Sequence, residues 1–129
     1  MTESFESLTK AELHRMADQL LKDDATGIES CVSFFEATTK GLWHNRARAM
    51  MARRFKHCCL TDMQGQRLTS CILARLTQGE TAEQFRDQLN LGLYLDAPRF
   101  FGAATVLLND RRKYVRKLAE WILTHETAP

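Results

Sequence analysis

The chain has few turn-forming and helix-breaking residues: two prolines and six glycines in 129 residues. It also lacks a clean two-residue alternation bounded by turn residues, and it has no Asn-Gly or Asp-Gly hairpin signal, so β structure is not expected. No apolar run approaches the ~20 residues needed to span a bilayer, which excludes a membrane-spanning helix and leaves no membrane role. The opening Met1-Thr2-Glu3-Ser4-Phe5-Glu6 is acidic and has no apolar stretch of the secretory kind, so a cytoplasmic location is the expectation. The four cysteines, Cys31, Cys58, Cys59 and Cys71, fall inside helical patterns without the spacing of a disulfide framework. They are expected as reduced, buried or half-buried thiols.

The signatures of catalysis are missing as well. His44, His57, Cys58 and Cys59 supply metal-ligand types, but no Cys-x-x-Cys or His-x-x-x-His spacing joins them. His57 and Cys58 are chain neighbours and diverge on a helix, so they do not form a dyad. There is no Gly-rich phosphate loop, no Gly-x-Ser-x-Gly and no paired-carboxylate motif. The sequence therefore points to no catalytic residue, no metal and no cofactor, and to a protein that is not an enzyme.

What is present reads as helix. Hydrophobic residues make up 44 % of the chain and charged residues 26 %, ordinary values for one globular domain over residues 1–129. Start and stop signals predict about seven helices. Thr9-Lys10-Ala11-Glu12 forms a capping box opening a helix that runs to about residue 22. After the turn at residues 23–27, Ile28, Cys31, Val32 and Phe35 follow helical spacing until Gly41. The third helix covers 42 to about 58, with Trp43, Ala47, Met50, Met51, Phe55 and Cys58 as its apolar stripe. A second capping box, Thr61-Asp62-Met63-Gln64, opens the fourth, which ends at Gln78-Gly79. Thr81-Ala82-Glu83-Gln84 starts the fifth, and Asp96-Ala97-Pro98 the sixth, with proline in the first turn where its missing N–H costs little. Phe100, Phe101, Ala104, Leu107 and Leu108 make the sixth nearly all apolar, so it is expected to be the most buried. Asp110 caps the seventh, whose stripe is Val115, Leu118, Ala119 and Ile122.

These helices suggest an all-α fold of three antiparallel pairs, over 26–60, 61–95 and 96–125, after an N-terminal helix within 1–25. Each pair has the length of a helical solenoid repeat. The most telling stretch is 107–123, where a Leu pair is followed by Asp110, Val115-Arg116, Ala119 and Ile122-Leu123. It resembles the turn and second helix of a HEAT/armadillo-like helical repeat. Phe85-Arg86, 30 residues before Val115-Arg116, repeats the pattern partially, and Asn45-Arg46 or Ala47-Arg48 more loosely.

The resemblance implies a right-handed array that binds a macromolecule. Its third, fifth and seventh helices would line a concave face, on which Arg46, Arg53, Gln84, Arg112, Lys113, Arg116 and Lys117 would form a mildly basic trough. It also implies that Asp110 and Arg116 support the turn between repeats. Charge is uneven in the same sense. Residues 1–39 carry three basic and eight acidic side chains, whereas residues 40–75 carry eight basic side chains and Asp62 alone. Either the acidic start folds against the basic middle, or the middle meets an acidic partner.

Arg54 projects into the apolar stripe of the third helix, so it must pair with a carboxylate of a neighbouring helix or open into a groove that captures an anion. The expected partner-binding set is thus Arg46, Arg53, Arg54, Arg112, Lys113 and Arg116. Asp110, Val115, Ala119, Trp43 and Trp121 are structural, the two tryptophans and Tyr114 lying on or beside apolar stripes. A protein partner is the first expectation. A nucleic-acid backbone held by the basic third helix is the alternative, and a two-fold homodimer is a third.

Overall fold

The computed structural model of the protein describes residues 5–81 and 84–126. Among them are six α-helices, one short 3₁₀ turn and no strand. Helix α1, Lys10–Asp18, opens on a capping box in which Thr9 Oγ1 accepts from Glu12 N at 3.2 Å and Glu12 Oε1 accepts from Thr9 N at 2.9 Å. It tightens into the 3₁₀ turn Gln19–Lys22 and stops at Asp23, which is left-handed. Helix α2, Ala25–Glu36, is capped by Asp24, and α3, Leu42–Phe55, follows Gly41. Helix α4, Asp62–Gln78, opens on the second capping box, between Thr61 and Gln64, and stops at left-handed Gly79. Helices α5, Phe85–Leu107, and α6, Lys113–Leu123, complete the chain. The start signal placed on Thr81-Ala82-Glu83-Gln84 falls partly outside the described residues, as do residues 1–4.

The expected fifth and sixth helices are one element, which is why six helices stand where about seven were expected. They meet without a loop at Asp96, whose extended backbone (φ −158°, ψ 72°) interrupts the helical path. The Asp96 carboxylate accepts from Arg99 N at 3.4 Å, and Pro98 sits in the first turn beyond the break. The bend folds the Phe100 ring against Gly92 so closely that a Cβ there would overlap it. The segment after the bend is not the most buried, contrary to its composition. Phe100, Ala104 and Leu107 are covered, but Val106 is 72 % exposed and Leu108 38 %. Only one stripe of this segment meets the core, and its apolar residues extend all round it.

Packing orders the helices into a layer and a backing. Helix α1 packs on α3, α3 on α5, and α5 on α6, while α2 packs on α4 and α4 on α5. Helices α2 and α3, expected as a pair, touch only lightly. One apolar core runs through the whole array, with Phe34, Phe35, Met51, Phe55, Ile72, Leu89 and Phe100 at its centre. Among the described residues no helix is long and apolar enough to cross a membrane.

Candidate functional site

The outer face of the layer α1–α3–α5–α6 carries most of the molecule's exposed cation and aromatic pairs. On a helical projection of α3, the exposed sector holds Arg53, Arg46, Met50 and Trp43, flanked by α1 on one side and α5 on the other. Lys10 of α1 reaches over the Trp43 ring, its Nζ 4.2 Å from the centroid, and the Arg46 guanidinium lies 5.2 Å from the same ring. Beneath them Leu13, Ala47 and Met50 line a cleft of about 110 Å³. Further along, Arg53 Nη1 donates to Asp87 Oδ2 at 2.8 Å, joining α3 to α5. Arg86 of α5 stacks over the Trp121 ring of α6 at 5.3 Å. A second, wider cleft of about 410 Å³ lies there, lined by Phe85, Leu118, Tyr114 and Lys117. Such cation–aromatic contacts contribute about 0.5–1 kcal/mol each at exposed sites, and they also hold the rings upright on the surface.

The expected partner-binding residues divide into two groups. Arg46 and Lys113 lie on or beside this face, and Lys113 is exposed. The other four are engaged by groups of the fold, Arg53 at the surface. Arg53 pairs with Asp87, and Arg54 meets Asp18 of α1 at 3.1 Å. Of the two environments open to Arg54, the fold thus takes the ion pair. Arg112 and Arg116 are drawn into the turn before α6. The Asp110 carboxylate accepts from Arg112 N and Nε at 2.8 Å each and from Arg112 Nη2 at 2.9 Å. Arg112 then donates to the Gln78 and Thr77 carbonyls at 2.7 Å, closing the end of α4, and Tyr114 Oη donates to Gly79 O at 3.1 Å. Arg116 Nη1 donates to the Asp110 and Arg111 carbonyls at 2.7 and 3.0 Å. Val115 and Ala119 are buried below this turn.

The aromatic assignments change. Trp43 is 42 % exposed and Tyr114 48 %, so both are surface residues, while Trp121 is half-buried. The apolar stripe of α3 faces α5 and the backing helices, which leaves Trp43 at the rim beside α1.

Comparison of the chain with protein-family models, curated proteins and solved structures found no match.

A second site escaped the sequence reading. Arg48 is 3 % exposed and points to the side of α3 opposite Arg46. Its Nη2 donates to the Thr39 carbonyl and, at 3.0 Å, to Thr39 Oγ1, while its plane stacks over Phe34 at 5.1 Å. Arg75 of α4 donates to Gln88 Oε1 at 3.0 Å, to the Phe35 carbonyl and to Ala37 O at 3.2 Å, and it stacks over Phe35 at 5.0 Å. Together they take up carbonyls released where α2 ends, a favourable place for cations. Burial pushes the Arg48 guanidinium down to about 10, helped by the like charge of Arg75, and burial lowers Arg75 as well. Both stay charged at neutral pH. A signal existed in the sequence: Arg48 lies between Ala47, Ala49 and Ala52, small residues that leave room for a buried guanidinium.

His44, a nominal metal ligand, is buried and donates Nε2–H to the Leu8 carbonyl at 3.1 Å, with Nδ1 2.8 Å from Thr39 Oγ1. All four cysteines are free thiols, and the described residues contain no group of three or more metal-ligating side chains.

Proposed function

We propose that this chain is a non-enzymatic, cytosolic binding module, a small adaptor or regulator built as a HEAT-like array of helix pairs behind an N-terminal helix. Its partner is a protein segment with acidic side chains, held on the outer face of α1, α3, α5 and α6. The observation that carries this reading is the row of cations interleaved with aromatic rings on that face: Lys10–Trp43–Arg46, then Arg53, then Arg86–Trp121 with Lys117 and Tyr114 beside it. Rings supply rigid contact area and the cations supply attraction and orientation, the division of labour found at interface centres. The repeat architecture draws support from α2 packing on α4 and α3 on α5, and from the Asp110–Arg112 turn that ties α6 to the end of α4.

The same interleaving favours a second reading, a single-stranded nucleic acid whose bases stack on Trp43 and Tyr114. The two readings separate by salt dependence. Phosphate contacts release counterions, so nucleic-acid affinity falls steeply with ionic strength, whereas a partner seated partly on apolar clefts is less sensitive. The test is affinity capture with and without nuclease, using the wild type and the Lys10→Glu, Arg46→Glu, Lys117→Glu triple variant. A defined protein retained after nuclease and lost by the variant is expected. Retention unchanged by the three reversals would overturn the assignment of this face, and material released by nuclease would transfer it to nucleic acid.

A further inference from the structure

We infer that the cleft beside Arg48 and Arg75 is a binding site for a small phosphate-bearing molecule. The cleft is about 380 Å³ and lies between the 37–41 loop, α3, α4 and the start of α5, and at Thr81 it adjoins the cleft of Tyr114 and Lys117. Arg48, Arg75 and Lys40 line it with one carboxylate, Glu80. Glu36, the other acid near Arg75, is held by Arg67 at 2.6 Å. Among the described residues, two net positive charges therefore line the cleft.

Neither guanidinium accounts for itself as a clamp alone. Each has five N–H donors. Those of Arg48 reach only Thr39, and those of Arg75 reach Gln88, Phe35 and Ala37, so each keeps its Nε–H without a protein acceptor among the described residues. Every acceptor they do meet is neutral; Arg75 is half-buried with Glu80 and Glu36 nearby, but Arg48 is buried and meets no carboxylate among the described residues, which is costly. An anion in the cleft offsets that cost. The carbonyls at the end of α2 do not repel it strongly, because Phe35 O and Ala37 O already accept from Arg75.

The charge selects the class. A phosphate monoester carries about −1.5 to −2 at neutral pH and matches two net positives, where a carboxylate carries one charge. Guanidinium forks suit its oxygens, and Asn45, Thr38 and buried Gln88 add polar contacts at the wall. The space exceeds a bare phosphate, since liquid water occupies about 30 Å³ per molecule, so there is room for a small polar organic group.

The test is a titration followed by ¹⁵N NMR of the arginine Nε–Hε groups at constant ionic strength, with inorganic phosphate and pyrophosphate as probes and acetate as control. Saturable shifts of the Arg48 and Arg75 signals are expected, with phosphate binding about tenfold tighter than acetate. Arg48→Met removes a clamp of the fold, so the informative variants are Lys40→Glu, on the exposed loop, and Lys22→Glu, in the exposed turn at the opposite end of α2. Lys40→Glu is expected to weaken phosphate about tenfold and Lys22→Glu to leave it unchanged. The inference is overturned by absence of saturable shifts at millimolar phosphate, by acetate binding equally well, by indifference to Lys40→Glu, or by equal weakening in Lys22→Glu.

Discussion

Gly79 meets two separate demands at one position. It ends α4 in the left-handed region at φ 75°, and the Arg112 guanidinium and Tyr114 hydroxyl approach so closely that a Cβ would lie 2.5 Å from each. The first demand tolerates asparagine, whereas under the second any side chain must displace the ends of Arg112 and Tyr114, and with them their bonds to the carbonyls that close α4. Gly79→Ala is expected to destabilise by about 2 kcal/mol or more in urea unfolding, and Gly79→Asn by nearly as much. Recovery of stability in the asparagine variant would mean that backbone conformation alone is at stake. On the other side of that contact, Arg112 donates from both its side chain and its backbone to Asp110, holding that carboxyl well below the usual carboxylate range. A depressed folded-state value contributes stability above the unfolded value of about 3.9, and that contribution is lost as pH falls through the folded value. Asp110→Asn should therefore lower the Tm at neutral pH. The gap to wild type should narrow once the pH drops below about 4. Parallel melting curves across the acid range check this, and a gap constant into strong acid would show that the charge of Asp110 contributes nothing.

The bend in α5 is where one element does the work of two. Asp96 caps the second segment, Pro98 needs no donor there, and Gly92 gives up its side chain so that Phe100 can fold back. Gly92→Ala is expected to cost about 1–3 kcal/mol through overpacking. A smaller side chain at 100 should recover part of it, so Gly92→Ala with Phe100→Leu should be less destabilised than the sum of the single variants, read by a double-mutant cycle in urea. The cap and the proline were legible in the sequence because their chemistry is local: three residues in Asp96-Ala97-Pro98 suffice to mark a start. The same holds for the capping boxes at Thr9 and Thr61. What could not be read is which flank of a helix a neighbour covers. Projection gives α3 one apolar stripe, yet α3 is bordered by α1 and α5 and closed over by the 37–41 loop. Arg48 is consequently buried by a loop that no periodicity describes, and Trp43, apolar by type, stands at the rim. Of the candidate site, the cations of the third helix were legible as a cluster. Their division into ion pairs, surface contacts and a buried clamp depends on Asp18, Asp87 and Thr39, which lie 34 to 36 residues away from Arg54 and Arg53 and nine from Arg48.

At the scale of the molecule, the question is whether this array behaves as separable repeats or as one body. Repeat arrays contact only their neighbours and can unfold piecewise. Here α5 packs on α3, α4 and α6 at once, and its bend carries the core from the first half of the chain to the last helix. The core is continuous from Leu13 in α1 to Ile122 in α6. A chain so tied is expected to unfold in a single transition. Two tryptophans sit at opposite ends of the layer, Trp43 beside α1 and Trp121 on α6, so Trp43→Phe and Trp121→Phe variants each leave one local reporter. A third probe lies in the middle: Cys31 is fully buried, its Sγ 3.2 Å from the Met16 carbonyl, and burial pushes its thiol up to about 12. Exposed Cys59 should react with a thiol reagent in the native state, and Cys31 only when the core opens. In a Cys59→Ser background, Cys31 labelling and both fluorescence signals should give one urea midpoint. A lower midpoint for Trp121 alone would instead mean that α6 detaches first, in which case the Asp110–Arg112 turn fails to couple the last helix to the array.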